Sequence, residues 1–161
     1  MRQLKFRGKV IHSRSHQNNQ WIYGMPTIFR DGSAAIRWQC SDKAKNPTGW
    51  KTQSVKPETL GQYTGLKDGK GNEIFEGDIV ESYVATFTED KEFLEFWRVG
   101  EIRFAAGGFV MSNCTNYDDI GMEVKSDIQP GRRSKYTFPA YRSKVIGNIF
   151  DNPELLKGGK S

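Results

Sequence analysis

A chain of 161 residues with a formal net charge of +5 is long enough to build a core without a disulfide or metal staple, and its charge favours anionic partners only mildly. With 36% hydrophobic and 27% charged residues, including 10 Phe, 6 Tyr and 4 Trp, the composition excludes a disordered polymer and suits a β-rich interior. No apolar run approaches the ~20 residues of a membrane span, no signal-peptide core opens the chain, and two distant cysteines, Cys40 and Cys114, fit a reducing cytoplasm as ordinary half-buried thiols.

In QLKFRGKV the residues Leu4, Phe6 and Val10 are apolar, while Lys5, Arg7 and Lys9 alternate with them. Period two predicts a half-buried strand with three cations on its exposed face. HSRSHQNNQ is a polar loop. WIYGMPTIF reads as a strand broken at Gly24 and Pro26, since proline cannot donate into a ladder. RDGS is a turn, and AAIRWQ alternates through Ala34, Ile36 and Trp38, which makes a hairpin. SDKAKNPTGWK is a loop, and TLGQYTGL is irregular.

KDGKGN is a turn, and EIFEGDIVESYVATF is a strand interrupted at Glu76, Gly77 and Asp78. In EDKEFLEFWRVGEIRF the residues Phe93, Phe96 and Trp97 also suit a helical face, but the alternation from Gly100 to Phe104 argues for a strand. AAGGF is a turn, and FVM starts another strand. Residues 112–140 have no stable period and read as a long excursion. SKVIGNIF, apolar on both faces, reads as an interior strand. DNPELL is a proline-started helical turn. The fold class is therefore mainly β, a small barrel or paired antiparallel sheets. The division expected is an N-terminal β subdomain over 1–56, a C-terminal small-barrel subdomain over 57–156 and a tail over 157–161, unless one domain holds them all.

The glycine-rich stretch GLKDGKGN is not a phosphate-binding loop, because Thr64 stands where the first glycine belongs and Gly71 follows Lys70 in place of the metal-binding hydroxyl. Turn chemistry remains: Asp68-Gly69 and Gly71-Asn72 tolerate positive φ. Glu76 and Asp78 share a strand face, with Glu73 and Glu81 nearby, and paired carboxylates can bind Mg²⁺ or do acid–base work. The alternative is that Gly77-Asp78 bends the chain while the Asp side chain accepts a nearby backbone N–H. His12 and His16 lie in a strand running into a turn, so their spacing does not make a zinc site. No catalytic residue, metal or cofactor is assigned, and no enzyme is expected.

The basic residues are the stronger candidates. Lys5, Arg7, Lys9 and Arg37 would project from strand faces, and Arg132, Arg133 and Lys135 would come from the long loop. With Trp21, Tyr23 and Trp50 they could serve a nucleic acid, which needs cations on one surface and exposed rings for single strands. A cationic strand face is otherwise a solvated one, or one that deters edge pairing.

The order of these segments resembles the YopX family of phage and prophage proteins. The resemblance runs through Lys5-Phe6-Arg7 and Trp21-Ile22-Tyr23-Gly24, then the signature Glu58-Thr59-Leu60-Gly61-Gln62-Tyr63-Thr64-Gly65-Leu66-Lys67-Asp68. It continues through Gly71 to Glu76-Gly77-Asp78-Ile79-Val80, and closes with Val145-Ile146-Gly147-Asn148-Ile149 and Asn152-Pro153-Glu154-Leu155-Leu156. Residues 8–20 and 112–142 depart from it. It implies a mainly β accessory protein of the bacterial host cytoplasm, a homo-oligomer through its N-terminal part, with no activity assigned. The matching residues are of types that fix a backbone, not a set of catalytic groups. Three readings follow: a module that binds a host or phage protein, a nucleic-acid-binding protein, and a metal-dependent enzyme using Glu76 and Asp78.

Overall fold

The computed structural model describes residues 4–11, 17–40, 48–87, 91–105, 107–117 and 140–157. Among the described residues ten strands run in chain order: β1 Phe6–Lys9, β2 Trp21–Ile28, β3 Ala34–Gln39, β4 Trp50–Val55, β5 Gly61–Lys67, β6 Glu73–Phe75, β7 Asp78–Phe87, β8 Phe93–Ala105, β9 Gly108–Tyr117 and β10 Ser143–Asn148. Among the described residues the only helical pieces are short 3-10 turns, at Pro57–Thr59, Ala140–Arg142 and Pro153–Leu156. The strands make two antiparallel sheets, ordered β4-β3-β2-β1-β5-β6 and β10-β7-β8-β9, so of the two architectures expected it is the paired sheets that form, without a closed barrel. The chain divides into two compact units, Met1–Gly65 and Leu66–Ser161. That division falls inside β5, later than residue 56, because the start of β5 is registered on β1 through Phe6 opposite Gln62 and Arg7 opposite Gly61.

In the N-terminal unit, β2 is continuous through Gly24 and Pro26, not broken there. Residues Trp21–Gly24 pair with β1 and Met25–Ile28 pair with β3, so the strand changes partner at its middle. The crossing requires Gly24, whose absent Cβ would lie 2.3 Å from the Arg37 carbonyl oxygen. Pro26 is tolerated because no β1 residue is registered opposite it, so a missing N–H breaks no bond on that side. The sheet curls until the end of β1 meets the end of β4: Val10 bridges Val55, and Lys56 N–H donates to the Lys9 carbonyl at 2.8 Å. The concave face buries Val10, Ile22, Ala34, Ile36 and Val55, with Trp38 and Leu60 packed against them. Burial contributes about 1.5–3 kcal/mol for each Val or Ile. Leu4, expected on this side, is exposed.

The C-terminal unit has a core on each face of its sheet. Ile74, Val80 and Ile102 form one, joined by Met111 and Val145; Ile79, Val99 and Tyr117 form the other, joined by Trp97, Ile146 and Leu155. This explains β10. Its run is apolar on both faces because Val145 and Ile146 serve opposite cores, although β10 is an edge strand and not the interior one expected. One further reading is corrected here. TLGQYTGL is not irregular but carries β5, while the residues from Phe93 to Ala105 form one long strand, as the alternation from Gly100 to Phe104 argues. The excursion expected from residue 112 begins as the end of β9, and residues 118–139, with Arg132, Arg133 and Lys135, lie outside the described residues, as do His12 and His16.

Candidate interaction face

The convex face of the N-terminal sheet follows from the strand register. Arg7 stands opposite Tyr23, Lys9 opposite Trp21, Met25 opposite Arg37, Arg37 opposite Thr52 and Gln39 opposite Trp50. Residues directly opposite share a face, so one surface collects Arg7, Lys9 and Arg37 with Trp21, Tyr23, Met25 and Trp50. Lys5 joins them, its ammonium 5.3 Å from the Tyr23 ring centre. Lys5, Arg7 and Lys9, expected on one strand face, are thus joined by Arg37, expected on another, and Trp21, Tyr23 and Trp50 lie among them.

Their exposure differs from what period two implies. Arg7 and Lys9 are each only 7% exposed, so the cationic side of β1 is not a solvated face. Nor is β1 an edge strand that needs charge to repel a neighbour, since it lies between β2 and β5. The Arg7 guanidinium lies 4.6 Å from the Trp21 ring centre and the Lys9 ammonium 5.3 Å from the same ring. A desolvated cation over tryptophan is stabilised by about 2 kcal/mol, which offsets part of the cost of taking it from water. The Lys9 backbone is held separately, its N–H donating to Thr59 Oγ1 at 2.9 Å while that hydroxyl donates to the Lys56 carbonyl.

What remains accessible is a contiguous stripe: Tyr23 at 45%, Met25 at 45%, Trp50 at 41%, and the exposed Arg37 between Met25 and Trp50. The Arg37 guanidinium lies 4.6 Å from the Trp50 ring centre and makes no hydrogen bond or ion pair with a described residue. Sequence reading missed this stripe because Met25 adjoins the expected strand break. The opposition of Met25 and Arg37, which a hairpin centred on RDGS dictates, was the signal available.

The glycine-rich signature holds the backbone. Gly61, Gln62, Tyr63, Thr64, Gly65 and Leu66 lie in β5, where the Tyr63 N–H donates to the Lys5 carbonyl at 2.8 Å. Asp68 is buried at the following turn, and Gly71 supplies φ +86° there. The Asp68 carboxylate accepts the amides of Lys70 at 2.9 Å and Asn72 at 2.8 Å, the Asn72 side-chain amide at 3.0 Å and the Val145 amide at 3.1 Å. Burial raises its pKa, but these bonds, led by that from the Asn72 side chain, outweigh it and hold the carboxyl below the ordinary 3.8.

Asp78, also buried, accepts the Phe75 N–H at 2.7 Å, and Glu76 accepts the Phe104 N–H at 3.2 Å. Between them Gly77, at φ +81°, donates to the Ile102 carbonyl and accepts from the Ile149 amide. Gly147 leaves room for Asn152, and the Asn148 side-chain oxygen accepts the amides of Phe150 and Asp151 at 3.0 Å each. Among the described residues no three His, Cys, Asp or Glu are grouped to hold a metal ion. Both cysteines are free thiols; Cys40 is half-buried, while Cys114 is exposed. No described helix is long and apolar enough to cross a membrane.

These features define a two-unit antiparallel β protein whose glycine-rich signature is a set of backbone clasps. The chain belongs to the YopX family: the family model described as YopX protein matches residues 5–157. It is similar to the protein in the crystal structure of protein EF1440 from Enterococcus faecalis, with 24% identity over 95% of this chain and 97% of that one and a TM-score of 0.37. No curated protein matches it.

Proposed function

We propose that the protein is a non-catalytic accessory module of phage or prophage type, and that the convex face of its N-terminal sheet binds another protein. The observation that carries this is the exposed stripe Tyr23, Met25, Arg37 and Trp50. Tyr, Trp, Met and Arg are the side chains enriched where protein interfaces concentrate their binding energy. An isologous contact would press a face whose strand charges are all cationic onto its own copy, so the face is assigned to a different protein and any homo-oligomer to other surfaces. A non-catalytic role is supported by Glu76 and Asp78, whose carboxylates accept backbone amides at a bend.

A photo-crosslinking residue at Met25, in cells carrying the protein, tests the reading against the same residue at Lys144, an exposed position of β10. Protein adducts specific to position 25 are expected. If adducts at the two positions are the same, or if none form, the face has no such role. Binding to single-stranded nucleic acid is the second reading, favoured by cations and aromatic rings sharing one face. It requires nucleic-acid adducts at position 25 and binding that falls log-linearly with salt.

A further inference from the structure

The chemistry of the convex face narrows its occupant further. Every charged strand residue registered on that face, Arg7, Lys9 and Arg37, is a cation, Lys5 adds a fourth beside Tyr23, and no carboxylate occupies a strand position there from β1 to β4. Arg37 is the accessible member of this group. The Trp50 ring, 4.6 Å from its guanidinium carbon, restrains it on one side, while its N–H donors bond no described residue. A planar fork held in place with its donors unspent is suited to a carboxylate, which it can bind with two parallel bonds.

We infer that the face recognises an acidic segment of a partner protein, with a carboxylate on Arg37 and an apolar side chain over Tyr23 and Met25. This rests on the protein-contact reading above and specifies its ligand. A peptide fits better than a nucleic acid on two counts. Phosphate tracking needs protruding cations, yet two of the four are sunk into the sheet. Base stacking needs open ring faces, yet Trp21, Tyr23 and Trp50 each already carry a cation of this chain.

The test uses the full chain and three fluorescein-labelled probes: a peptide alternating Glu with Leu, the same peptide with Gln for each Glu, and an oligo-dT strand. Binding is read by anisotropy at low and moderate salt. The Glu peptide is expected to bind at least about tenfold more tightly than the Gln peptide, the scale of one charged hydrogen bond. Arg37→Gln is expected to lose that advantage, Arg37→Lys to restore part of it for want of the fork, and Lys144→Gln to leave it unchanged. Equal binding of the Glu and Gln peptides would overturn the anionic ligand while leaving an apolar protein contact standing. Tighter binding of oligo-dT, lost in Arg37→Gln, would make the occupant a nucleic acid and overturn the proposal. Failure of the Glu peptide to bind at low salt overturns it as well, and the crosslinking at Met25 then still decides the broader reading.

Discussion

Asp68 and Val145, 77 positions apart, are joined by a hydrogen bond of 3.1 Å from the Val145 amide to Asp68 Oδ2. The neighbouring Gly69 amide donates to the Ser143 carbonyl at 2.9 Å, and a Cβ on Gly69 would lie 2.9 Å from the Tyr141 carbonyl oxygen. The turn is therefore a clasp on the start of β10, and its short residues let it approach. Removing the carboxylate strands the amides of Lys70, Asn72 and Val145 together. Hydrogen bonds to a charged group contribute about 1.5–3 kcal/mol, so Asp68→Ala should destabilise the protein by about 3 kcal/mol in urea unfolding. Asp68→Asn, which keeps one acceptor oxygen, should lose roughly half of that. A loss in Asp68→Ala below about 0.5 kcal/mol would mean that water replaces the clasp at little cost.

The same carboxylate predicts a pH dependence. Its folded-state pKa is held below the ordinary 3.8, so the folded protein binds this proton less readily than the unfolded chain. The contribution is therefore complete above the unfolded value and is lost as pH falls through the folded one. Wild type and Asp68→Asn should differ in stability by a constant amount near neutrality and converge below about pH 4. Urea midpoints of both proteins across that range check it; a gap that stays constant under acid would assign the difference to shape and not charge.

Gly24 is the joint at which β2 changes partner. A Cβ there would lie 2.3 Å from a backbone oxygen and 3.0 Å from Ile36 Cγ2, and the backbone cannot yield as a flexible side chain would. Overpacking a core costs typically 1–3 kcal/mol, and Gly24→Ala belongs at the upper end or beyond it. Gly32, in the adjacent hairpin turn, meets nothing within 4 Å, and its cost is that of φ +82° alone. Thermal unfolding should therefore rank Gly24→Ala well below Gly32→Ala.

Where one face of a strand was buried and the other wet, the sequence was readable. Ala34, Ile36 and Trp38 alternate because one face of β3 meets the core, and the RDGS hairpin follows from turn chemistry. Reading failed where both faces are covered. Val145 and Ile146 serve two cores, which makes an edge strand look interior. It failed also where polar residues form strands through register alone, as in the TQS of β4 and the glycine-rich β5. At the candidate face the cations and rings were legible as residue types. Their burial was not, because charge suggests exposure while Trp21 provides a partner that lets Arg7 and Lys9 leave water.

That burial decides which substitutions can report on binding. Reversing charge at Arg7 and Lys9 places carboxylates, each 7% exposed positions, against the Trp21 ring, where the favourable cation contact becomes a repulsion and a buried charge is left to be solvated. Arg7→Glu/Lys9→Glu should therefore destabilise the N-terminal unit by several kcal/mol, the scale of breaking a buried charge contact, and any loss of binding would reflect unfolding. Lys5→Glu/Arg37→Glu alters the more accessible members of the same face, where surface substitutions change stability by about 0.5 kcal/mol or less apart from the lost ring contacts. Circular dichroism melts of the two double variants should separate clearly, with the second close to wild type. If the second melts as early as the first, Lys5 and Arg37 are part of the scaffold, and the convex face offers no cation to a partner.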